Sequence, residues 1–290
     1  MNSDSVERLA NAVLYEGYML YPYRPSAVKN RRRFNFGVLV PPSYAATQNG
    51  TESSVMRGEC LVRGTAQTSI DLRLRYLHVL PGDWQQAEEQ ELDLSGWAAS
   101  GSATAQAHFP LAADLTLGFE SVPHGLLKVT AEARNHTDLD RPEQHSRDEV
   151  LPYSLVAAHM ILRVHDGEFV SLLDPPDDLR ESAAQCRNQG CWPILAGEPG
   201  SHDAMLASPI ILYDYAQVAP ESPGDLFDGA EIDEILTLRI LTLTDEEKQE
   251  IRNGDERARR ILERSEGLPE EHLLKLHGVL RGMRPVEEPK

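Results

Sequence analysis

Cys186 and Cys191 enclose the four residues Arg-Asn-Gln-Gly, and His202 follows eleven positions later. Thiolates and an imidazole are ligands for zinc or another soft metal. Three ligands fall short of the four that a closed structural zinc site takes, and the usual C-x2-C pairs are missing. The competing reading makes Cys186 a small apolar residue on a helix face. Asp225, Asp228, Glu231 and Asp233 place four carboxylates in nine residues around Gly229. Oxygen ligands at a sharp turn suit Ca2+, but the spacing is not that of an EF-hand loop. A solvated acidic loop accounts for it better. No resident cofactor is expected.

Ser171, His159 and Asp174 have the residue types of a nucleophile, a base and an orienting acid, though spacing in sequence does not bring them together. His159 and His165 both fall in strand-like runs, where a hydrogen-bonded structural histidine is the commoner role. The chain has no Gly-rich phosphate loop, G-x-S-x-G elbow or H-E-x-x-H. Asn135-His136-Thr137 is a formal glycosylation acceptor. The start, MNSDSVERLANAVLYEGY, lacks the basic and apolar regions of a secretory signal, so that match reads as coincidence.

The strongest binding candidate is the stretch from Tyr15 to Phe36. Arg24, Lys29, Arg31, Arg32 and Arg33 stand among Tyr15, Tyr18, Tyr21, Tyr23, Phe34 and Phe36. Arginine among aromatics makes planar, stackable, bidentate contacts, which suits carboxylates or an acidic protein surface. The alternative is internal: the cations pair with this chain's own acidic groups and the aromatics pack in its core.

Charge separates these possibilities. Residues 1–33 carry a net +3, residues 34–220 a net −14 and residues 221–290 a net −7, within a total of −18 over 290 residues. So acidic a body repels phosphate backbones, which disfavours nucleic acid as a partner. Apolar residues make up 41% of the chain, enough for a core, yet no unbroken apolar run exceeds four residues, so no membrane partner is expected. Three cysteines are too few for a disulfide framework and fit a reducing, cytoplasmic compartment.

The elements that must position these residues are mostly strands. IDLRLRYLHVL (70–80) alternates, with Ile70, Leu72, Leu74 and Tyr76 on one face and Asp71, Arg73 and Arg75 on the other. LTLGFE (115–120) and LLKVTAEAR (126–134) flank the turn-forming VPHG. Asp166-Gly167 between two β-rich runs predicts a hairpin turn. SPIILYDY (208–215) and EILTLRILTL (234–243) predict two more strands, and GWAASGSATAQAH (96–108) a small-residue loop.

Helices are expected at both ends. Val6, Leu9, Ala10, Val13 and Leu14 share one face of an N-terminal helix capped at Ser3 or Ser5. Asp177 to Gly190 predicts a short internal helix. Thr244-Asp-Glu-Glu247 matches a capping box, followed by helical patterns at 254–267 and 269–283, the latter striped with Leu273, Leu276, Leu280 and Met283. The predicted fold is α+β and mainly β: an antiparallel β-sandwich-like body, a short N-terminal helix and a helical C-terminal tail. Its domains are residues 1–242 and a tail, 243–290, packed on them.

Several segments carry a resemblance: LYEGYMLYPYRPSAVKNRRRFNFGVLVPP, GEFVSLLDPP, CRNQGCWPILAGEPG, SPIILYDYAQVAPESPGDLFDGAEIDEILTLRILTLTDEEK and LLKLHGVLRGMRP. Together they span most of the chain and resemble a family of bacterial proteins encoded beside uptake nickel-iron hydrogenases. The resemblance implies an accessory role in hydrogenase maturation or assembly and brings no catalytic residues with it. The expected partner is a hydrogenase subunit or a maturation factor, met by protein–protein contacts through the Arg/Tyr segment. The alternative is a metal- or cofactor-handling protein or a cryptic metal-dependent hydrolase. A self-associating homo-oligomer is the third possibility.

Overall fold

The computed structural model describes residues 2–16, 34–81, 86–98, 102–108, 110–217, 240–253 and 256–267. Contacts divide the chain into two compact units, Met1–Tyr18 with Phe34–Val218, and Met19–Arg33 with Ala219–Lys290. Along the chain these units change over at 18/19, 33/34 and 218/219, whereas the sequence predicts a single boundary at 242/243.

The first unit is mainly antiparallel β and is organised by one long strand. In order it contains α1 (Asn2–Tyr15), α2 (Pro42–Thr47), β1 (Val55–Val79), β2 (Ala87–Ala98), β3 (Ser102–Ala107), β4 (Ala113–Val122), β5 (Leu126–Asn135), α3 (Arg147–Val150), β6 (Val156–Val170), α4 (Arg180–Ala184), β7 (Trp192–Leu195) and β8 (Ala204–Ser208). A straight strand of 25 residues would run ~80 Å, far beyond a domain's width, so β1 must bend. Its first half pairs with β5 and its second half with β2, while β6 pairs along both halves. Because β6 overlaps each of the other two pairings, β5 and β2 share the opposite edge of β1.

That arrangement curls the sheet. From the first half of β1 the order runs β5, β4, β3; β3 packs against β2, which returns to the second half of β1. The result is a near-barrel filled by Met56, Cys60, Val62, Ile70, Leu72, Leu74, Tyr76, Leu94, Leu115, Leu117 and Val129. The alternation read at 70–76 is the inward half of this core. On the other side of β1 the sheet continues through β6, β8 and β7. There α1 lies on the outer face, with Val6, Leu9, Ala10 and Val13 against Ile161, Ile194, Ala204 and Leu206. Burial on both faces explains why VAAHMIL in β6, interrupted by His159, is apolar on both faces instead of alternating. The helix begins at Asn2, so Ser3 and Ser5 lie inside it instead of capping it.

Other predicted elements are displaced for identifiable reasons. Asp166-Gly167 lies inside β6. Thr65–Thr68 leave the ladder opposite it, and pairing resumes at Ser69 with His165. The Thr68 hydroxyl donates to the Asp166 carbonyl and accepts from the Thr65 amide, satisfying groups that this bulge would strand. Asp166 is left-handed at φ 52°, so the Asp-Gly signal marks a kink in one strand. Most of 96–108 is strand, because Ala103 and Ala105 pair with Leu117 and Leu115 of β4. The run 208–215 is not a strand; β8 is AMLAS just before it. Beyond Ser208, Pro209 has no amide to donate. The helix expected from 177 shortens to a 3-10 turn, Asp177–Leu179, and α4.

In the second unit the described elements are α5 (Asp245–Arg252) and α6 (Glu256–Glu266). The capping box forms: the Thr244 hydroxyl accepts from the Glu247 amide at 3.2 Å, and the Thr244 amide donates to the Glu247 carboxylate at 3.0 Å. Glu266 takes Lys248 at 3.2 Å and Arg252 at 3.0 Å, and Ile251, Ile261 and Leu262 are buried. Of the strand predicted at 234–243, residues 234–239 lie outside the described residues. Ile240 and Leu241 form a helical turn instead. The helix at 269–283 also lies outside them. Among the described residues, no helix is long and apolar enough to cross a membrane.

Candidate functional site

Beneath α1 the outer face of the sheet carries a cluster of charge. On β1, Arg73 and Arg75 project away from the barrel core, one register step apart on the same face. Arg73 pairs in register with Asp93 of β2 and Ile161 of β6; Arg75 pairs with Glu91 of β2 and His159 of β6. Arg73 donates to Asp93 at 2.8 Å. Arg75 is 5% exposed and meets Glu91 at 3.1 Å, Glu89 at 3.3 Å and Glu7 at 3.5 Å. Glu7, on α1, also reaches Arg73 at 3.5 Å, so one carboxylate from the helix bridges both guanidiniums. Tyr15, at the end of α1, donates its phenol to Glu89.

His159 completes the row. It is fully buried, and its Nδ1 lies 2.9 Å from the Ala157 carbonyl. A carbonyl only accepts, so Nδ1 carries the proton and Nε2 presents a lone pair, with no hydrogen-bond partner. Burial pulls the imidazole pKa down to about 4; the carbonyl bond opposes this and the Arg75 charge adds to it. The imidazole is therefore neutral at pH 7. A bulge sets its position: two residues, Ala157 and Ala158, oppose Tyr76 alone, and Ala157 takes φ 51°. Four carboxylates, two guanidiniums and one neutral imidazole anchor the helix and hold a proton acceptor out of water. The row presents no nucleophile.

The predicted sites are distributed differently. Tyr15 is 6% exposed and belongs to this buried cluster, which is the internal role that the sequence left open for the aromatics. Phe34 is likewise buried, and its carbonyl accepts from Arg147 at 3.0 Å. Tyr18, Tyr21, Tyr23, Arg24, Lys29, Arg31, Arg32 and Arg33 lie outside the described residues, as does the acidic run Asp225 to Asp233.

The cysteines do not converge with His202. Cys191 packs in the barrel core with Cys60, and its thiol donates to the Arg57 carbonyl at 3.4 Å. Cys186 packs with Leu61, Leu126, Val170 and Leu179, a cluster outside the barrel core. Cys60 and Leu61 are consecutive in β1 and point to opposite faces, so the sheet separates the two thiols. His202 holds the Phe169 carbonyl at 2.9 Å. Among the described residues, no three His, Cys, Asp or Glu side chains are grouped to hold a metal ion.

Ser171, His159 and Asp174 form no relay. The Ser171 hydroxyl donates to Asp214 at 2.5 Å and accepts from the amide of Asp174, so Asp174 contributes its backbone and not its acid. His165 bonds Asp71 at 2.8 Å. Asn135 is fully buried and donates to the carbonyls of Leu39 and Tyr153, which makes it a structural tie.

The alternation at 70–76 puts Arg73 and Arg75 together on one strand face, opposite the apolar row, and carries no sign of the helix above them. Two signals elsewhere point to it: an apolar stripe on α1 that needs a surface, and apolar residues on both faces of β6, around His159, that need cover on both sides.

No protein-family model matches the chain, and no curated protein matches it.

Proposed function

We propose that the chain is a non-catalytic accessory protein in nickel-iron hydrogenase maturation or assembly, acting through protein–protein contacts. The reading starts from the resemblance in sequence. The structural observation that supports it is the anchoring on either side of the Arg/Tyr segment. Tyr15, at its start, is buried and bonded to Glu89; Phe34, beyond its last cation, is buried and its carbonyl is held by Arg147. A binding segment tied to a rigid scaffold at both ends loses less entropy on meeting a partner than a free tail does. Its five cations suit an acidic client surface.

The test is affinity purification of a tagged full-length chain from cells expressing the hydrogenase, with the bound proteins identified by mass spectrometry. The expected result is recovery of a hydrogenase subunit or maturation factor, lost when Arg31, Arg32 and Arg33 are replaced together by Ser. Recovery that is unchanged by the substitution at matched salt overturns the role of the segment. An eluate without any hydrogenase component overturns the accessory reading.

A further inference from the structure

We propose that His159 is a proton-operated latch: protonating it releases α1 from the sheet face it covers while the strands beneath remain paired. The inference is independent of which client, if any, the chain binds.

The geometry makes His159 intolerant of charge. A proton can enter only at Nε2, since Nδ1 already donates to the Ala157 carbonyl. Nε2 is buried and faces no acceptor. Among the described residues, the groups on this face are Asp71 (held by His165), Arg73 and Arg75 from β1, Glu89, Glu91 and Asp93 from β2, Glu7 and Tyr15 from α1, and Arg163 from β6 itself. From β8 comes uncharged Ser208, one residue beyond the Ala207 that pairs with Met160. The nearby carboxylates are engaged by Arg73, Arg75 and Tyr15. The charge that acts on His159 is that of Arg75, directly opposite. An imidazolium here would be a second buried cation beside the first, with a new N–H and nothing to receive it.

Release of α1 relieves this at the least cost. The helix is held by side chains: Val6, Leu9, Ala10 and Val13 on the sheet, with Glu7 and Tyr15 in the charge row. β6, by contrast, is laddered to β1 on one side and to β8 on the other. A helix docked by side chains opens more readily than a doubly paired strand. Once it opens, water solvates the imidazolium, so the proton binds the open state more tightly and shifts the equilibrium toward it. The bulge at Ala157 preserves the bond to Nδ1 throughout, leaving Nε2 as the single point of entry.

The experiment uses the full chain with nitroxides on Asn11→Cys in α1 and Thr104→Cys in β3, both exposed positions, in a Cys186→Ser background. The spin–spin distance and the far-UV strand signal are followed from pH 7.5 to 4.5. One-proton linkage raises the open-to-closed ratio by about tenfold per pH unit between the open-state and closed-state pKa values. The expected result is one narrow distance at neutral pH that broadens reversibly below pH 6, with the strand signal intact, and a His159→Gln variant that keeps the narrow distance down to pH 4.5. Three results would overturn the latch: a wild-type distance unchanged to pH 4.5, loss of the strand signal together with the distance, or the same transition in His159→Gln. If that variant does not fold, the first two wild-type outcomes still decide.

Discussion

Arg75 and His159 stand directly opposite each other in the β1–β6 ladder, both buried on the face that carries α1, one charged and the other neutral at pH 7. The difference follows from their partners. Arg75 has three carboxylates within 3.5 Å, drawn from two separate elements, whereas His159 has a backbone carbonyl alone. The cation is matched by carboxylates, and the imidazole, which burial holds neutral, has none.

Replacing Arg75 with Ala leaves Glu7, Glu89 and Glu91 facing one another. Those carboxylates keep partial access to water, so the loss should sit at the lower end for a broken buried ion pair, about 2–4 kcal/mol. Arg75→Lys should lose less, keeping the charge but not the three-sided fork. Urea denaturation of the full chain at pH 7 measures both.

Glu59 predicts a separate acid dependence. It is 3% exposed on β1, accepts from the Arg187 amide at 2.7 Å and pairs with Arg57 at 2.6 Å. Burial raises its carboxyl, but the Arg187 bond, Arg57 and Lys128 outweigh burial, and the pKa lies below its ordinary 4.5. A folded-state pKa below the unfolded one gives stability that is present above 4.5 and lost as pH falls through the lowered value. Glu59→Gln should therefore cost about 1–3 kcal/mol at pH 7 and progressively less below pH 4.5. A gap between wild type and variant that stays constant across that range would contradict this.

Gly167→Ala tests the kink in β6. The added methyl would lie 2.9 Å from the Arg63 carbonyl oxygen and 3.0 Å from Val164, at a point where β1 and β6 are paired. Crowding of this kind costs about 1–3 kcal/mol. Thr68→Val should destabilise by about as much, because it leaves the Thr65 amide and the Asp166 carbonyl without their shared hydroxyl. Thermal denaturation of both variants gives the comparison.

The thiols should be inert in the native protein. Burial pushes Cys186 up to about 11 and Cys191 up to about 12, and drives Cys60 upward as well. At pH 8 all three should react with a disulfide reagent at least ~100-fold more slowly than in denaturant, since the thiolate is the nucleophile. Replacing Cys186 or Cys191 with Ser should leave the zinc content of protein purified without chelators unchanged, because the two thiols lie on opposite faces of β1. A loss of zinc in either variant would contradict that separation.

Thr244→Ala removes an acceptor for the Glu247 amide and should cost the α5 helix about 1 kcal/mol. Helix content by circular dichroism during thermal unfolding provides the readout.

Local patterns with a single physical cause were legible in the residues themselves. The inward row Ile70, Leu72, Leu74 and Tyr76, the apolar face of α1, the β4–β5 hairpin and the Thr244–Glu247 box all follow from period, turn chemistry and capping, which act within a few residues. The mainly β character is the sum of those patterns.

Tertiary structure decided the rest. Asp166-Gly167 suits a hairpin turn, but the chain continues through a kink as one strand because β1 is long enough to pair on both sides of it. The small residues of β3 are strand because β4 supplies a partner, and propensity is too weak to oppose a ladder. Cys186 and Cys191 are near in sequence and divided by a sheet, since successive strand residues point to opposite faces. The charge row under α1 draws on residues from Glu7 to His159. Its chemistry arises from burial, and burial is a property of what covers a side chain, which no stretch of sequence contains by itself.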